Sequence, residues 1–276
     1  MVKIRLLTLN THSIIEENYE EKLNFFVDAI AKKRPDIIAL QEVNQSADSD
    51  RVDENWLVGH HPCSSKVAVR EDNHAFRVVK KLREKGINYH WCWLGFKNGY
   101  GNFDEGLAIL SLSPILDTKI VRLSSTHDYK NWRTRKALGV KVGKNWFYSV
   151  HFSWWDDLDE PFIAQWARML KAVKNDEKAW LLGDFNNPAD VKNEGYDTMR
   201  NFGWLDTFAL AEKKDCGVTV ENAIDGWHGR FPKGKKMRID LILCNKKTDV
   251  KSSEVIFNGI NEPVVSDHFG VLIECV

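Results

Sequence analysis

The chain has 276 residues, 43% of them hydrophobic, which suffices for a sizeable core and lies near the upper end for one domain. Its 39 Lys and Arg balance 39 Asp and Glu, so the formal net charge is zero. A protein that grips long nucleic acid through its phosphates ordinarily carries a basic excess, so the balance argues against that class unless a local basic patch serves instead.

The N-terminal stretch Lys3–Leu9 alternates and then runs apolar, a predicted strand ending at Asn10. Met1–Leu7 is too short and too interrupted by charge for a signal peptide, and no apolar run approaches a membrane span, so a cytoplasmic location is expected. Tyr19–Lys33 places Leu23, Phe26, Val27 and Ile30 at helical spacing and ends in Lys32, Lys33 and Arg34, a basic end that suits a helix C-terminus. Pro35 stops it. Asp36–Gln41 is a buried strand ending at Glu42. A second helix is predicted over His74–Lys85, closed by Gly86. Strands follow at Tyr89–Leu94, Gly106–Leu110, Ile115–Leu123, Lys136–Val142 and Trp146–Val150. Glu160–Lys174 is a third helix, Ala179–Leu182 a short buried strand and Tyr196–Phe202 a short helix. The last strands fall at Arg238–Leu243, Ser252–Ile256 and Phe269–Glu274. Frequent hairpin-like pairs alternating with helices predict two packed sheets with helices outside.

The cysteines Cys63, Cys92, Cys216, Cys244 and Cys275 are odd in number and include no C-x-x-C pair. Reduced thiols are expected rather than disulfides or a zinc site. Eleven tryptophans are present, and Trp56, Trp132, Trp154, Trp155 and Trp227 stand in polar, turn-rich contexts where core burial is less natural.

Polar residues close several apolar strands: Asn10, Glu42, His151, then Asp184 and Asn186, with Asp267 and His268 before the final strand. Each alone reads as an ordinary turn former. Together they include the oxygen ligands that Mg²⁺ or Mn²⁺ prefers and imidazoles able to handle protons near neutral pH. No H-E-x-x-H, P-loop or G-x-S-x-G is present, so zinc-protease, nucleotide-loop and serine-hydrolase chemistries lack their motifs.

The blocks Leu7-Thr8-Leu9-Asn10, Leu40-Gln41-Glu42, Gly183-Asp184-Phe185-Asn186, Arg238-Ile239-Asp240 and Ser266-Asp267-His268 resemble, in order, the signatures of the endonuclease/exonuclease/phosphatase superfamily. The resemblance spans nearly the whole chain. It implies one domain over residues 1–276, an α/β four-layer sandwich with two mixed sheets face to face and helices on both outer sides. The second half is similar to bacterial maltose 6'-phosphate phosphatases through Asp206-Thr207-Phe208, Ala211–Asp215, Gly217–Val220 and Gly226-Trp227, as is Gln41–Gln45 near the start.

The resemblance assigns Asn10, Glu42 and Asp267 to Mg²⁺, with Mn²⁺ as a possible substitute. It makes Asp184 the group that orients or deprotonates water and Asn186 a holder of phosphate oxygen or water. His151 and His268 would bracket the phosphoryl group, with Asp240 as the partner of His268. Glu105 is a candidate partner for His151, or simply a loop end before a strand. His12, His60, His61, His74, His90, His127 and His228 read as surface or packing residues. The run Lys233–Arg238 is either a solvated loop or a contact to substrate phosphate. Trp154 and Trp155 follow His151 closely, and an aromatic face there stacks on a sugar ring or a base, although core packing of one of the pair is the plainer reading. In a strand the two would point to opposite faces.

The function expected is hydrolysis of a small phosphorylated sugar such as maltose 6'-phosphate. The alternatives are an abasic-site type DNA nuclease, which calls for a positive groove, and a sphingomyelinase-like lipid phosphodiesterase, whose secreted members need an export signal. A non-enzymatic binding module is disfavoured because every matched position holds a chemically competent residue. No membrane or obligate protein partner is expected.

Overall fold

The computed structural model describes residues 3–63, 66–227, 229 and 236–276. Two mixed sheets pack face to face, with helices on both outer sides, as the sequence predicts. The strands are β1 (Ile4–Asn10), β2 (Ile37–Ser46), β3 (His90–Gly99), β4 (Phe103–Ser111), β5 (Asp117–Arg122), β6 (Lys136–Val142), β7 (Asn145–His151), β8 (Ala179–Asp184), β9 (Leu205–Asp206), β10 (Lys213–Lys214), β11 (Asp240–Cys244), β12 (Val250–Ile256) and β13 (Gly270–Cys275). The helices are α1 (Tyr19–Lys33), α2 (His74–Glu84), α3 (Phe162–Val173), α4 (Gly195–Asn201) and the single turn α5 (Thr207–Leu210). One sheet runs β10-β12-β13-β1-β2-β4-β3, the other β5-β6-β7-β8-β11-β9.

Sandwiching each sheet between the other sheet and helices buries both faces, which explains the continuous apolar runs of the central strands. In β1, Leu6 faces the inter-sheet core with Ile37, Ile109, Phe147, Leu182 and Ile273, whereas Leu7 and Leu9 face Leu23, Phe26 and Ile30 of α1. On the far side Phe162, Trp166 and Met169 of α3 cover Leu181 and Leu241. Helix ends follow local chemistry. The Arg34 backbone turns left-handed to close α1, and the Asn73 side chain accepts the Phe76 N–H at 3.1 Å to cap α2.

Two differences from the predicted elements shape the site. Strands β2, β3 and β4 run several residues beyond the sequence expectation, because Lys97-Asn98-Gly99-Tyr100-Gly101-Asn102 reads as loop yet forms the end of a hairpin. Its turn is supplied by Tyr100 and Gly101, both left-handed. Both neighbours of β4 also slip register at one glycine: the pairing skips a residue between Leu40 and Val43 on β2 and between Gly95 and Lys97 on β3, and Val43 and Gly95 both lie opposite Gly106. These bulges turn side chains that strict alternation would send to the other face. A Cβ at Gly106 would lie 2.3 Å from the Leu94 carbonyl oxygen.

Gly106→Ala should therefore cost about 2–3 kcal/mol in urea unfolding, the scale of overpacking a closed site. An unchanged midpoint would show that the bulged strands tolerate a side chain there.

Candidate active site

Strand register gathers the polar residues at one edge of the sandwich. In the second sheet β7 and β8 are parallel with His151 opposite Asp184, and antiparallel β11 puts Asp240 opposite Asp184, so three strand ends form a row. In the first sheet Asn10 ends β1 opposite Gln41, Glu42 stands on the β2 bulge, and Asp267 and His268 precede β13. Facing sheets are then linked by side chains. Asn10 Nδ2 donates to Glu42 Oε1 at 3.0 Å and to Asp184 Oδ2 at 3.2 Å. His268 Nδ1 lies 2.9 Å from Asp240 Oδ2, across the gap.

His151 and Asp184 of the row, with Glu42, Asn186, Asp267 and His268, line a cleft of about 200 Å³. Asp184 Oδ2 sits between two imidazoles, 3.6 Å from His151 Nε2 and 3.9 Å from His268 Nε2. Burial alone would lower the His268 pKa, but Asp240, with Asp184 and Asp267 beyond it, outweighs burial and holds the ring protonated well above the ordinary histidine range. His151 goes the other way: burial, then the charges of Arg135, Lys97 and His268, keep it neutral. Asp184 is raised by burial, with Asp240 and Glu42 adding, against His268 and the Asn186 N–H. Asn186 is locked in place, its Nδ2 donating to Phe152 O at 3.0 Å and its Oδ1 accepting Trp227 Nε1 at 2.8 Å. Glu42, Asn186, His12 and Tyr100 all carry left-handed backbone at the site, a conformation costly for residues with side chains and concentrated where function demands it.

A sequence profile described as the Endonuclease/Exonuclease/phosphatase family matches residues 7–268. The chain belongs to this family. Its members are hydrolases that include phosphatases and nucleases. Among solved structures, an endonuclease/exonuclease/phosphatase family protein from Leptotrichia buccalis is 29% identical, with a TM-score of 0.87 over 99% of each chain. A mannosyl-6-phosphatase from Bacteroides thetaiotaomicron is 16% identical, with a TM-score of 0.63 over 99% of each chain. A 3' phosphatase from Neisseria, bound to a product DNA hairpin, is 18% identical, with a TM-score of 0.64 over 99% of each chain. At these lower identities the likeness is one of fold. No curated protein matches the chain.

Enzymes of the family generally depend on a divalent metal, and the residues here fit one. Asn10, Glu42 and Asp267 offer oxygen, the donor a hard cation prefers. The Glu42 carboxyl is raised by burial and by the carboxylates of Glu105 and Asp267, so negative charge gathers where a cation would relieve it. Among the described residues, two groups bring ligand atoms within 4.8 Å of one another, His12 with Glu16 and Asp267, and Asp184 with Asp240 and His268. Both are already engaged internally: Glu16 holds His12 Nδ1 at 2.8 Å and also binds Lys22, and Asp240 holds His268.

Two sequence readings change. Glu105 does not partner His151; it lies opposite Lys97 in the β3–β4 pair and forms an ion pair with it at 2.8 Å. Instead His151 Nδ1 faces Glu42 Oε1 at 3.9 Å. His12 is no surface residue: it sits at the cleft edge, 3.1 Å from the Tyr100 hydroxyl, and Glu16, Glu42 and Asp267 raise its pKa to about 9 against the lowering effect of burial. Of the run Lys233–Arg238, residues 233–235 lie outside the described residues, as does His228; Lys236 lines the neighbouring cavity and pairs with Glu221, and Arg238 is tied to Asp206 at 2.9 Å. Trp154 and Trp155 follow β7 in irregular backbone, so strand alternation does not separate them, and both line a neighbouring cavity. Lys97, Arg135 and Tyr100 line the cleft without any signal in the sequence.

The raised His268 pKa has a stability consequence. The stabilisation is fully present below the unfolded histidine value near 6.5 and is lost as pH rises through the folded value. In protein stripped of metal by EDTA, wild type should lose stability to urea between pH 6 and 9 faster than Asp240→Asn does. Parallel slopes would show that Asp240 does not hold the proton on His268.

Proposed function

We propose that this chain is a metal-dependent phosphomonoesterase acting on a small phosphorylated sugar, with maltose 6'-phosphate the best candidate. The observation that carries the reading is the junction of two cavities. The catalytic cleft shares Trp154 and Asn186 with a second cavity of about 300 Å³, lined also by Trp155, Pro188, Val191 and Trp227. The cleft suits a phosphoryl group, and the aromatic cavity beside it suits the ring of a leaving group. Trp132 extends the wall, its ring centroid 6.1 Å from that of Trp154.

Asn10, Glu42 and Asp267 would hold Mg²⁺ or Mn²⁺, which would supply Lewis-acid polarisation of a phosphoryl group. The chain's own residues do the rest. Asp184 orients the attacking water and accepts its proton, a task that its raised pKa favours. His268, kept protonated by Asp240, donates a hydrogen bond to a phosphoryl oxygen as charge builds there. His151, neutral and facing Asp184, holds a second oxygen or the water itself. Trp227 fixes the Asn186 amide, so the wall that contacts the leaving group also sets one of the groups in the cleft. No covalent enzyme intermediate is required; positioning and electrostatics account for the rate.

Phosphate release should be measured with Mg²⁺ from maltose 6'-phosphate, glucose 6-phosphate, a nucleoside monophosphate and abasic-site DNA, with EDTA as control. Selective, EDTA-sensitive release from the disaccharide phosphate is expected. Nicking of the DNA with no sugar-phosphate turnover would overturn the reading. Glu42→Ala should abolish turnover with an unchanged melting curve, and near-normal activity would remove Glu42 from the metal site. His268→Ala should slow kcat by roughly 10²-fold or more. Trp154→Ala should raise KM more than it lowers kcat, whereas an unchanged KM would assign that ring to packing alone.

A further inference from the structure

Two buried cations in the cleft have no part in the mechanism above. Arg135, just before β6, is 3% exposed, and Lys97 on β3 is 5% exposed. Both line the cleft beside His151, Asp184 and His268. Lys97 Nζ is held by Glu105 Oε1 at 2.8 Å and donates to Trp132 O at 3.2 Å. Arg135 Nη1 donates to the carbonyls of Trp132 at 2.8 Å and Thr134 at 3.4 Å. Arg135 Nε is buried with no hydrogen-bond partner, and among the described residues Arg135 makes no ion pair.

Glu105, Glu42, Asp184 and Asp157 act on the Arg135 guanidinium from a distance, but burial outweighs them and lowers its pKa. A buried guanidinium with a spare Nε donor and no carboxylate in direct contact is costly. An anion in the cleft would complete the site. Guanidinium presents a planar fork of donors matched to phosphate oxygens. The carbonyls of Trp132 and Thr134 fix that fork in advance, and Trp132 O fixes Lys97 as well, so one loop orients both charges.

We propose that Lys97 and Arg135 form an anion clamp for the third non-bridging oxygen of a terminal phosphate, and so select phosphomonoesters over phosphodiesters. The inference rests on the phosphatase reading and deepens it. A monoester near neutral pH is close to a dianion with three non-bridging oxygens; a diester is a monoanion with two. The third position in a diester carries an alkoxy group, which in this cleft would meet two buried cations instead of solvent. Selection therefore comes from charge.

The test compares kcat/KM for 4-nitrophenyl phosphate and bis(4-nitrophenyl) phosphate, and the affinity for inorganic phosphate by calorimetry, all with Mg²⁺. Arg135→Gln should lose about 10²-fold or more on the monoester but less than about 3-fold on the diester, and bind phosphate at least about 10-fold more weakly. Arg135→Lys should recover part of both. If Arg135→Gln fails to fold, the pair Lys97→Met with Glu105→Gln removes one charge of each sign and should show the same loss of selectivity. Equal losses on the two esters with unchanged phosphate affinity would overturn the clamp and leave both residues as packing. If wild type hydrolyses no monoester at all, the phosphatase reading falls separately. Phosphate affinity then still decides whether the anion site exists: weakening in Arg135→Gln keeps it, and equal affinity removes it.

Discussion

The site depends on two sheets being held face to face at their ends. Neither sheet alone carries a complete set. The first supplies Asn10, Glu42, Asp267 and His268, the second His151, Asp184 and Asp240. Hydrogen bonds from Asn10 to Asp184 and between His268 and Asp240 close the gap, and deeper in, Gln41 Nε2 donates to Ser149 Oγ at 2.9 Å, which donates in turn to Leu40 O at 2.9 Å. The last two bonds are fully buried and fix the relative height of the sheets. A shift of one sheet along the other would leave several buried polar groups without partners, each costing about 1–3 kcal/mol. The inter-sheet core drives association without specifying such a height, because apolar contact is non-directional. The polar ladder supplies the direction.

Charge in the cleft is balanced by geometry more than by pairing. Carboxylates of Glu42, Asp184 and Asp267 approach one another, and Lys97, Arg135 and the protonated His268 lie among them. Lys97 pairs with Glu105 and His268 with Asp240, and His268 Nε2 also lies 3.9 Å from Asp184. On the proposed reading, a cation and an anionic ester would complete this charge balance, and attraction for a phosphorylated ligand would reside within the cleft without a surface excess of positive charge.

Much of this was legible in the sequence, and the reason is local. Asn10, His151, Asp184 and His268 stand at ends of short apolar strands, and a parallel pair or an antiparallel neighbour brings such ends together. The helix over Tyr19–Lys33 is bounded by its own chemistry and agrees residue for residue. What stayed hidden depends on register. Glu105 was legible as a polar residue near the site but not as the partner of Lys97, since that pairing exists only once β3 and β4 continue to Tyr100. Arg135 lies in Asn131-Trp132-Arg133-Thr134-Arg135, a polar stretch that looks like solvated loop, although Arg135 is almost wholly buried. His12 follows Asn10 by two residues, and only its left-handed backbone turns it to the cleft edge.

The bulges opposite Gly106 show why register matters for chemistry. On β3, Trp93 packs toward the helices while Leu94 and Phe96 pack between the sheets. Strict alternation from Trp93 would send Lys97 to the helix side, among apolar side chains. The extra residue between Gly95 and Lys97 reverses that parity and brings Lys97 to the cleft opposite Glu105. On β2 the same device places Glu42, in left-handed backbone, where Asn10 reaches it. One glycine on the strand between them admits both distortions because its missing side chain lets the Leu94 carbonyl approach. Glu42 and Lys97 thus stand on two bulges that face the same small residue. The cost of the irregular pairing is local, and it is offset by the regular ladder on the rest of β4, from Leu107 to Ser111. The fold stays regular where it bears the core and departs from regularity at the cleft.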